Sequence, residues 1–120
     1  MKILIAEDEE ALSKILKEEL NSHGHDAKVA RDGEEAMRLI RSFKPDIVLL
    51  DLVIPKKGGM QILEEMTADT ELKSTPVIVL SNLAEDESIK KALSLGAADY
   101  FVKSQHSIYE VIEKVEKYKK

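Results

Sequence analysis

The sequence predicts an α/β fold in which helices cover both faces of one parallel β-sheet. Short apolar runs recur along the chain, and an amphipathic stretch follows each of them. Such alternation favours parallel strands joined by helical crossovers. The 120 residues suffice for one hydrophobic core and leave little room for a second, so we expect a single domain over residues 1–120.

Five segments are predicted to be strands. Four are continuous apolar runs that are rich in β-branched residues and too short for helices, which is typical of strands buried on both faces. The fifth segment alternates polar and apolar residues, which indicates a strand nearer a sheet edge. The continuous runs are residues 3–6, 47–50, 77–80 and 100–102, and the alternating segment is residues 26–30.

Apolar residues spaced three and four apart predict five helices. The stripes are Leu12, Ile15, Leu16 and Leu20; Ala36, Leu39, Ile40 and Phe43; Ile62, Leu63 and Met66; Ile89, Ala92 and Leu93; and Ile108, Val111, Ile112 and Val115. Gly24 and Gly96 stand where two of these helices are expected to end. Ser107 and Glu110 have the spacing of a capping box that begins the last helix.

The composition excludes several classes of protein. The chain has no cysteine, which excludes disulfides and thiol chemistry. Its formal net charge is -5 and no basic stripe dominates, so we expect no direct binding of nucleic acid. The lysine-rich residues 114–120 are predicted to be the solvated face and frayed tip of a helix. The apolar residues 1–6 are too few for a signal peptide or a membrane span, so we expect a cytoplasmic protein without membrane insertion.

Polar side chains follow four of the predicted strands. They are Glu7 and Asp8 after the first strand, Asp51 after the third, Ser81 after the fourth and Lys103 after the fifth, whereas the edge strand offers only Arg31 and Asp32. Ligands of open α/β sheets bind beyond the carboxyl ends of the strands. Each residue alone is ordinary, and the acidic run could simply favour the first turn of a helix. Their convergence at one end of one sheet points to a site.

Three carboxylates in one place require a cation. Two carboxylates about 4 Å apart repel each other by about 4 kcal/mol at an effective dielectric constant of about 20. Oxygen ligands without nearby histidine or cysteine favour a hard ion such as Mg²⁺, with Mn²⁺ as a further possibility. A carboxylate beside Mg²⁺, a hydroxyl and a lysine has the groups needed for phosphoryl transfer.

At these positions the chain resembles the receiver domain of bacterial response regulators, the chemotaxis-regulator-like proteins of two-component signalling. The matching residues are the pair 7–8, the segment 51–59, Ser81 and the segment 96–103. The resemblance covers essentially the whole chain. It implies a flavodoxin-like (βα)5 doubly wound sandwich with strand order 2-1-3-4-5. It also implies a signalling switch without an output domain that catalyses only its own phosphorylation and dephosphorylation.

The resemblance assigns a role to each acidic residue. Asp51 would accept a phosphoryl group from a histidine kinase or a histidine phosphotransfer protein. Asp8, Asp51 and the backbone carbonyl of Val53 would ligate Mg²⁺. Glu7 would stand outside the direct ligands or act through water.

The resemblance also implies a conformational switch. Lys103 and Ser81 would bind the phosphoryl oxygens, and the rotamer of Tyr100 would follow the movement of Ser81. The alternative for Tyr100 is a core aromatic residue without a switch role. The surface of the fourth helix, fifth strand and fifth helix, residues 85–95 and 100–119, would contact a downstream protein. The protein would be a monomer or a weak dimer.

Several residues depart from the pattern of these receivers. Ser104 follows Lys103 where a proline after a cis bond is usual, and we expect a trans bond because a cis bond before a non-proline residue costs about 2.5–4 kcal/mol. Asn82 is larger than the small residue usual at its position, and Val53 and Leu83 are apolar residues flanking the site. We expect these three residues to limit access to Asp51 and to lengthen the life of its phosphate.

Three other interpretations were weighed against these residues. His23 and His25 could ligate a metal, but no third ligand is visible in the sequence, which favours a solvated turn. An aspartyl-phosphate phosphatase typically carries a second aspartate two residues after the nucleophile, where this chain has Val53. A scaffold receiver that is never phosphorylated would be expected to lose the acidic pair, Asp51 or Lys103, and all of these are present.

Overall fold

The computed structural model describes residues 1–119, in which five strands alternate with five helices. The strands are β1 (Lys2–Ala6), β2 (Asp26–Ala30), β3 (Ile47–Leu50), β4 (Val77–Ser81) and β5 (Asp99–Val102). The helices are α1 (Glu10–Ser22), α2 (Gly33–Phe43), α3 (Gly59–Ala68), α4 (Asp86–Ser94) and α5 (Ile108–Glu116). The predicted alternation is confirmed. The fourth strand continues one residue further than expected, through Ser81.

The strands form one parallel sheet in the order β2-β1-β3-β4-β5, which confirms the predicted topology. The chain passes from β1 outward to β2 and then returns to β3 on the other side of β1. The strand order therefore reverses between β1 and β3, where sheets of this kind bind their ligands. Ala6 pairs with Leu50 in the register of these two strands. Glu7 follows Ala6 and Asp51 follows Leu50, so these two residues lie side by side at the carboxyl ends of β1 and β3.

The alternating side chains of the strands form a separate hydrophobic core on each face of the sheet. On one face, Ile3, Ile5, Leu49 and Ile78 pack against Leu16 and Leu20 of α1 and Val111, Ile112 and Val115 of α5. On the other face, Leu4, Val48, Leu50 and Val79 pack against Met37 and Ile40 of α2, Ile62 and Met66 of α3 and Ala92 of α4. This division confirms that helices cover both faces.

Three burial predictions for the strands and helices are wrong. The strand β5 is not buried on both faces, because it lies at the sheet edge, and three of its four residues are half-buried. Ile15 of α1 and Leu93 of α4 are each 45% exposed. In both helices the adjacent residue, Leu16 or Ala92, lies completely buried against the sheet. The buried stripe of each helix is therefore one position narrower than predicted.

The predicted helix ends are confirmed. Gly24 and Gly96 adopt φ values of 88° and 107°, in the left-handed region that suits glycine after a helix. Ser107 accepts a hydrogen bond from the Glu110 amide, and the Glu110 side chain accepts one from the Ser107 amide. Residues 1–119 contain no cis peptide bond, so the bond between Lys103 and Ser104 is trans as expected.

The helices of the described region are short. Among residues 1–119, no helix combines the length and the apolar character needed to cross a lipid bilayer. The last one, α5, ends at Glu116, and the predicted solvated tip agrees with the exposed Lys117 and Lys119. Lys120, the end of the predicted tip, lies outside the described residues.

Adjacent substitutions in α1 should separate the buried stripe from the exposed flank. We expect Leu16→Ala to lower the free energy of unfolding by about 2–5 kcal/mol, because it leaves a cavity beneath the helix. The control, Ile15→Ala, should change it by less than about 1 kcal/mol, since the Ile15 side chain is partly solvated. Urea unfolding followed by circular dichroism measures both. Equal losses in the two variants would contradict the observed orientation of α1.

Candidate functional site

Asp51 is the carboxylate at the centre of the sheet edge. It follows the fully buried strand β3 directly, and its residue is only 6% exposed. Its amide donates a hydrogen bond to the Ala6 carbonyl at 2.9 Å, which fixes it beside the end of β1. Its Oδ1 accepts a hydrogen bond from the Val53 amide at 3.0 Å. Backbone contacts thus hold the carboxylate in one place.

Lys103 joins the ends of three strands through its ammonium group. It follows β5, and its Nζ lies 3.0 Å from Asp51 Oδ2 and 2.6 Å from Glu7 Oε1. The Lys103 side chain is 12% exposed, and those of Glu7 and Asp51 are 3% and 7% exposed. Two buried carboxylates therefore share one buried cation. Such a pairing offsets the desolvation of the charges, which would be costly if any of them stood alone.

Burial and ion pairing act in opposite directions on these groups. Burial raises the pKa of Glu7, while the hydrogen bonds from Lys103 and from the Glu9 amide work to lower it. Burial works to lower the pKa of Lys103, but the combined hydrogen bonds and charges of Glu7 and Asp51 raise it above its ordinary value. Lys103 is therefore charged at neutral pH, and its hydrogen bond favours the ionised form of Glu7.

Asp8 completes a cluster of three carboxylates. One oxygen from each of Glu7, Asp8 and Asp51 lies within 4.8 Å of the others, and Asp8 is exposed to solvent. Three negative groups outweigh the single charge of Lys103, and all the available donors are oxygens. This donor set fits a hard divalent cation. A cavity of about 260 Å³ opens over the cluster.

The remaining predicted site residues lie around the same cavity. Val53, Asn82 and Ser81 line it together with Lys103. Val53 is 62% exposed and Asn82 is exposed, so both stand at the mouth. Leu83 does not line the cavity in the described structure; it belongs to the loop between β4 and α4, and its half-buried side chain packs against the core. The structure therefore places only two of the three predicted access residues at the opening.

Ser81 and Tyr100 meet at the loop that follows β4. Ser81 is completely buried, and its Oγ accepts a hydrogen bond from the Leu83 amide at 3.3 Å. The Tyr100 hydroxyl donates to the Leu83 carbonyl at 2.6 Å. Burial raises the pKa of Tyr100, so its hydroxyl remains a hydrogen-bond donor at neutral pH. Both predicted switch residues thus hold the same short loop.

Glu9 is a neighbour of the site that the sequence did not single out. Its amide donates to Glu7 Oε2 at 3.0 Å, and its own carboxylate lies 3.8 Å from Lys103 Nζ. Only Glu10 of the acidic run lies in the first turn of α1. The alternative interpretation, that acidic residues favour the first turn of a helix, therefore applies to Glu10. Glu7 and Asp8 instead belong to the carboxylate cluster. The run of acidic residues in the sequence pointed to this region. It did not indicate that Glu9 lies beside the site and that Glu10 lies in the helix.

His23 and His25 lie away from the site. His23 is exposed, as expected for a solvated turn, but the prediction is wrong for His25, whose side chain is only 1% exposed. Both contact Glu116 Oε1 of α5, at 3.1 Å for His23 Nδ1 and 2.9 Å for His25 Nε2. The Met1 amino group, 3.1 Å from His25 Nδ1, and Glu116 flank the buried His25 ring, and the sequence separation of His25 from Glu116 hid this pair. His106 binds Glu110 at the start of α5 at 2.8 Å.

A larger cavity of about 680 Å³ lies at the opposite end of the sheet. It is lined by Met1, Pro45, Asp46, Ser74, Thr75, Pro76, Tyr118 and Lys119. Asp46 is its single carboxylate, and no buried ion pair faces it among these residues. This cavity is larger than the one at the carboxyl ends of the strands, but only the smaller one is lined by the cluster of carboxylates and Lys103, so we take the smaller one as the candidate site.

A five-stranded parallel sheet with three acids and a lysine at the carboxyl ends of its strands defines a class of signalling domain. The family model of the response regulator receiver domain matches residues 3–116. The chain therefore belongs to the response regulator receiver domain family, which consists generally of signalling domains and not of enzymes with outside substrates.

Individual relatives agree with this assignment. A probable transcriptional regulator, ycf27, of Guillardia theta is 38% identical over 102 residues, which make up 85% of this chain and 39% of the relative. The chain thus spans about two fifths of the length of that curated relative. The phosphorylated cyanobacterial phytochrome response regulator RcpA is similar with 32% identity and a TM-score of 0.86, over 98% of this chain and 91% of that one. The Mn²⁺-bound response regulator Rcp1 shows 28% identity and a TM-score of 0.84, over 96% and 91%.

Removing the shared cation should make Glu7 harder to ionise. Lys103→Met removes the hydrogen bond that lowers the pKa of Glu7, so this pKa should rise further above 4.5. A folded-state pKa above the unfolded value gives stability at low pH that is lost as the pH rises through it. The variant should therefore lose more stability, relative to the parent, at about pH 8 than at about pH 4.

Carboxyl ¹³C NMR titration of Glu7 and urea unfolding at the two pH values measure these effects. Lys114→Met is the matched control, because Lys114 forms a more exposed ion pair with Asp99 at 3.1 Å. It should leave the titration of Glu7 unchanged. An unaltered Glu7 titration in Lys103→Met would show that the ion pair does not govern this carboxyl group.

Proposed function

We propose that the chain is a single receiver domain that accepts a phosphoryl group on Asp51, with Mg²⁺ as the cofactor. The observation that carries the proposal is the convergence of Lys103 on the buried Glu7 and Asp51 beside the carboxylate of Asp8. This arrangement supplies a nucleophilic oxygen, a fixed cation and ligands for a metal. The solved structures of phosphorylated RcpA and Mn²⁺-bound Rcp1 support it by similarity.

The phosphoryl donor in this proposal is a phosphohistidine of a kinase or of a phosphotransfer protein. A carboxylate oxygen of Asp51 attacks phosphorus, the phosphorus–nitrogen bond breaks, and its electron pair and a proton remain on the departing imidazole. Lys103 neutralises charge that develops on the phosphoryl oxygens. When bound, Mg²⁺ supplies further positive charge at the same oxygens. Asp8, Asp51 and the Val53 carbonyl are its proposed ligands, with Glu7 behind them.

The proposed switch transmits this event through Ser81 and Tyr100. The Ser81 hydroxyl turns toward the phosphoryl group and gives up its bond with the Leu83 amide. The Tyr100 hydroxyl, which holds the Leu83 carbonyl from β5, responds to the new position of the loop. A side chain on the edge strand thereby reports the state of Asp51 to the surface.

We further propose that a downstream protein docks on the face formed by α4, β5 and α5. Leu93 and Tyr109 on this face are 45% and 67% exposed, and Lys114 pairs with Asp99 across it. Exposed apolar and aromatic side chains beside charged ones are typical of protein–protein contacts. In this proposal the domain works in the cytoplasm as a monomer or weak dimer, and it acts on no substrate besides its own phosphate.

Phosphorylation by a small donor tests the function directly. Incubation with acetyl phosphate and Mg²⁺ should add one phosphoryl group to the parent, measured by intact mass spectrometry. Asp51→Asn should form no adduct, because an amide is not a sufficient nucleophile. The control, Asp46→Asn, alters an exposed aspartate at the opposite end of the sheet and should behave as the parent does. No adduct on the parent, or an adduct on Asp51→Asn, would refute the proposal.

The apolar residue at the mouth should slow hydrolysis of the phosphate. Val53 presents no hydrogen-bonding side chain to water beside Asp51, and hydrolysis requires a positioned and polarised water molecule. We expect Val53→Asn to shorten the lifetime of the phosphate by about tenfold. Val53→Leu is the matched control and should preserve it. Loss of the phosphate can be timed by mass spectrometry after removal of acetyl phosphate, and equal rates in all three proteins would refute the role of Val53.

A further inference from the structure

The β3–α3 loop, residues 51–58, sets the orientation of the phosphoacceptor. Asp51 begins the loop, and the Val53 amide binds Asp51 Oδ1 at 3.0 Å. The Leu52 and Ile54 side chains are buried in the core, while Val53 between them is 62% exposed over the site. A shift of this backbone would therefore move both the amide that orients Asp51 and the carbonyl proposed as a metal ligand.

Gly59 fixes the beginning of the loop. Its amide donates to the Leu52 carbonyl at 3.0 Å. A Cβ atom on Gly59 would lie 2.6 Å from Leu52 Cα and 2.8 Å from the Asp51 carbonyl oxygen. Both atoms belong to the backbone, so neither can move aside without moving the site. The first turn of α3 and the start of the loop consequently pack as closely as a glycine allows.

Gly33 fixes the far end of the loop from a different part of the chain. It is the first residue of α2, after the edge strand β2, which contributes no side chain to the cavity. Its amide donates to the Pro55 carbonyl at 3.0 Å. A Cβ atom on Gly33 would lie 1.8 Å from the Lys57 carbonyl oxygen and 2.6 Å from the Lys57 carbonyl carbon. No side chain can be accommodated there unless the loop backbone is displaced.

The segment held by Gly33 contains a residue in an unusual backbone conformation. Lys56 has a φ of 71°, which is uncommon for a residue with a side chain and persists only when its surroundings impose it. Its neighbours Pro55 and Lys57 are the two residues that touch Gly33. The Lys56 side chain also approaches Asp32, the residue before Gly33, at 3.7 Å. The turn at Asp32 and Gly33 thus imposes the path of the loop.

We infer that Gly33 is a positioning residue for the site: the close contact between its backbone and the loop holds the Val53 backbone where it orients Asp51 and receives the metal. The inference rests on the proposed phosphoacceptor function, since it names what the held loop serves. Gly33 touches neither the phosphate nor the metal, and it acts through the loop alone. The start of α2, which contributes no side chain to the cavity, gains a part in the reaction through this contact.

Gly33→Ala tests the contact, and Gly58→Ala is its matched control. A Cβ atom on Gly58, which lies in the loop itself, would meet only the Leu52 carbonyl oxygen at an ordinary 3.8 Å. In folded Gly33→Ala we expect amide hydrogen exchange of Val53 to accelerate by about tenfold or more, with Mg²⁺ affinity and the rate of phosphorylation by acetyl phosphate falling by a similar factor. Gly58→Ala should match the parent in all three measurements.

The amide of Lys103, bound to the Ser81 carbonyl at 2.9 Å, is the internal reference for exchange across the site. Unchanged Val53 exchange and unchanged Mg²⁺ affinity in folded Gly33→Ala would overturn the inference. Accelerated Val53 exchange in a protein whose parent form binds no Mg²⁺ and accepts no phosphate would support the contact while refuting the proposed function. The two failures are therefore distinguishable.

A reciprocal measurement on the parent decides the matter if Gly33→Ala does not fold. When the Gly33 contact favours the metal-binding conformation, metal binding must in turn favour the contact. Saturating Mg²⁺ should therefore slow exchange of the Gly33 amide by about tenfold, more than that of the Ala36 amide, which binds Asp32 in the same helical turn. The inference would be overturned if Mg²⁺ slowed exchange of the Gly33 amide no more than it slowed exchange of the Ala36 amide.

Discussion

The shared ion pair of Lys103 with Glu7 and Asp51 is the interaction on which the site depends. It draws together residues that follow β1, β3 and β5, so it requires the register of β1, β3, β4 and β5. Two buried carboxylates in contact with one cation would be unfavourable if that cation were absent. The same imbalance, three acids against one lysine, leaves a cluster of oxygen ligands that could hold a second cation. One arrangement of charge therefore holds the strand ends together and supplies the candidate metal ligands.

The strand pattern explains why so much of this site could be predicted from the sequence. Asp51, Asp8 and Lys103 each follow a short apolar run within two residues, and in a parallel sheet the ends of such runs converge. The capping box of Ser107 and Glu110 could be predicted for the same reason, because its two residues are only three positions apart. Features of this kind can be predicted from the sequence because the residues that form them lie close together along the chain.

Features that depend on packing between distant elements could not be predicted in the same way. His25 is buried beside Glu116, ninety-one residues away, and Ile15 is 45% exposed although the adjacent Leu16 is completely buried. The contact of Gly33 with Lys57 leaves no pattern in the sequence either. A glycine at the start of a helix is common, and only the structure shows that the backbone of Lys57 lies against this one. Helical periodicity identifies a face of a helix, but only the docked neighbour decides how wide the buried part of that face is.

The two sides of the site are held by contacts of different stiffness. On the side of β3, the loop after Asp51 lies between Gly33 and Gly59, where backbone meets backbone without room for one further carbon atom. On the side of β4, the loop is held near the site by the hydrogen bonds of Leu83 with Ser81 and Tyr100. Close-packed backbones resist small displacements, whereas hydroxyl groups can exchange partners through a side-chain rotation. A phosphoryl group on Asp51 would thus meet a rigid wall on one side and an adjustable loop on the other, and this asymmetry favours a response that travels toward β5.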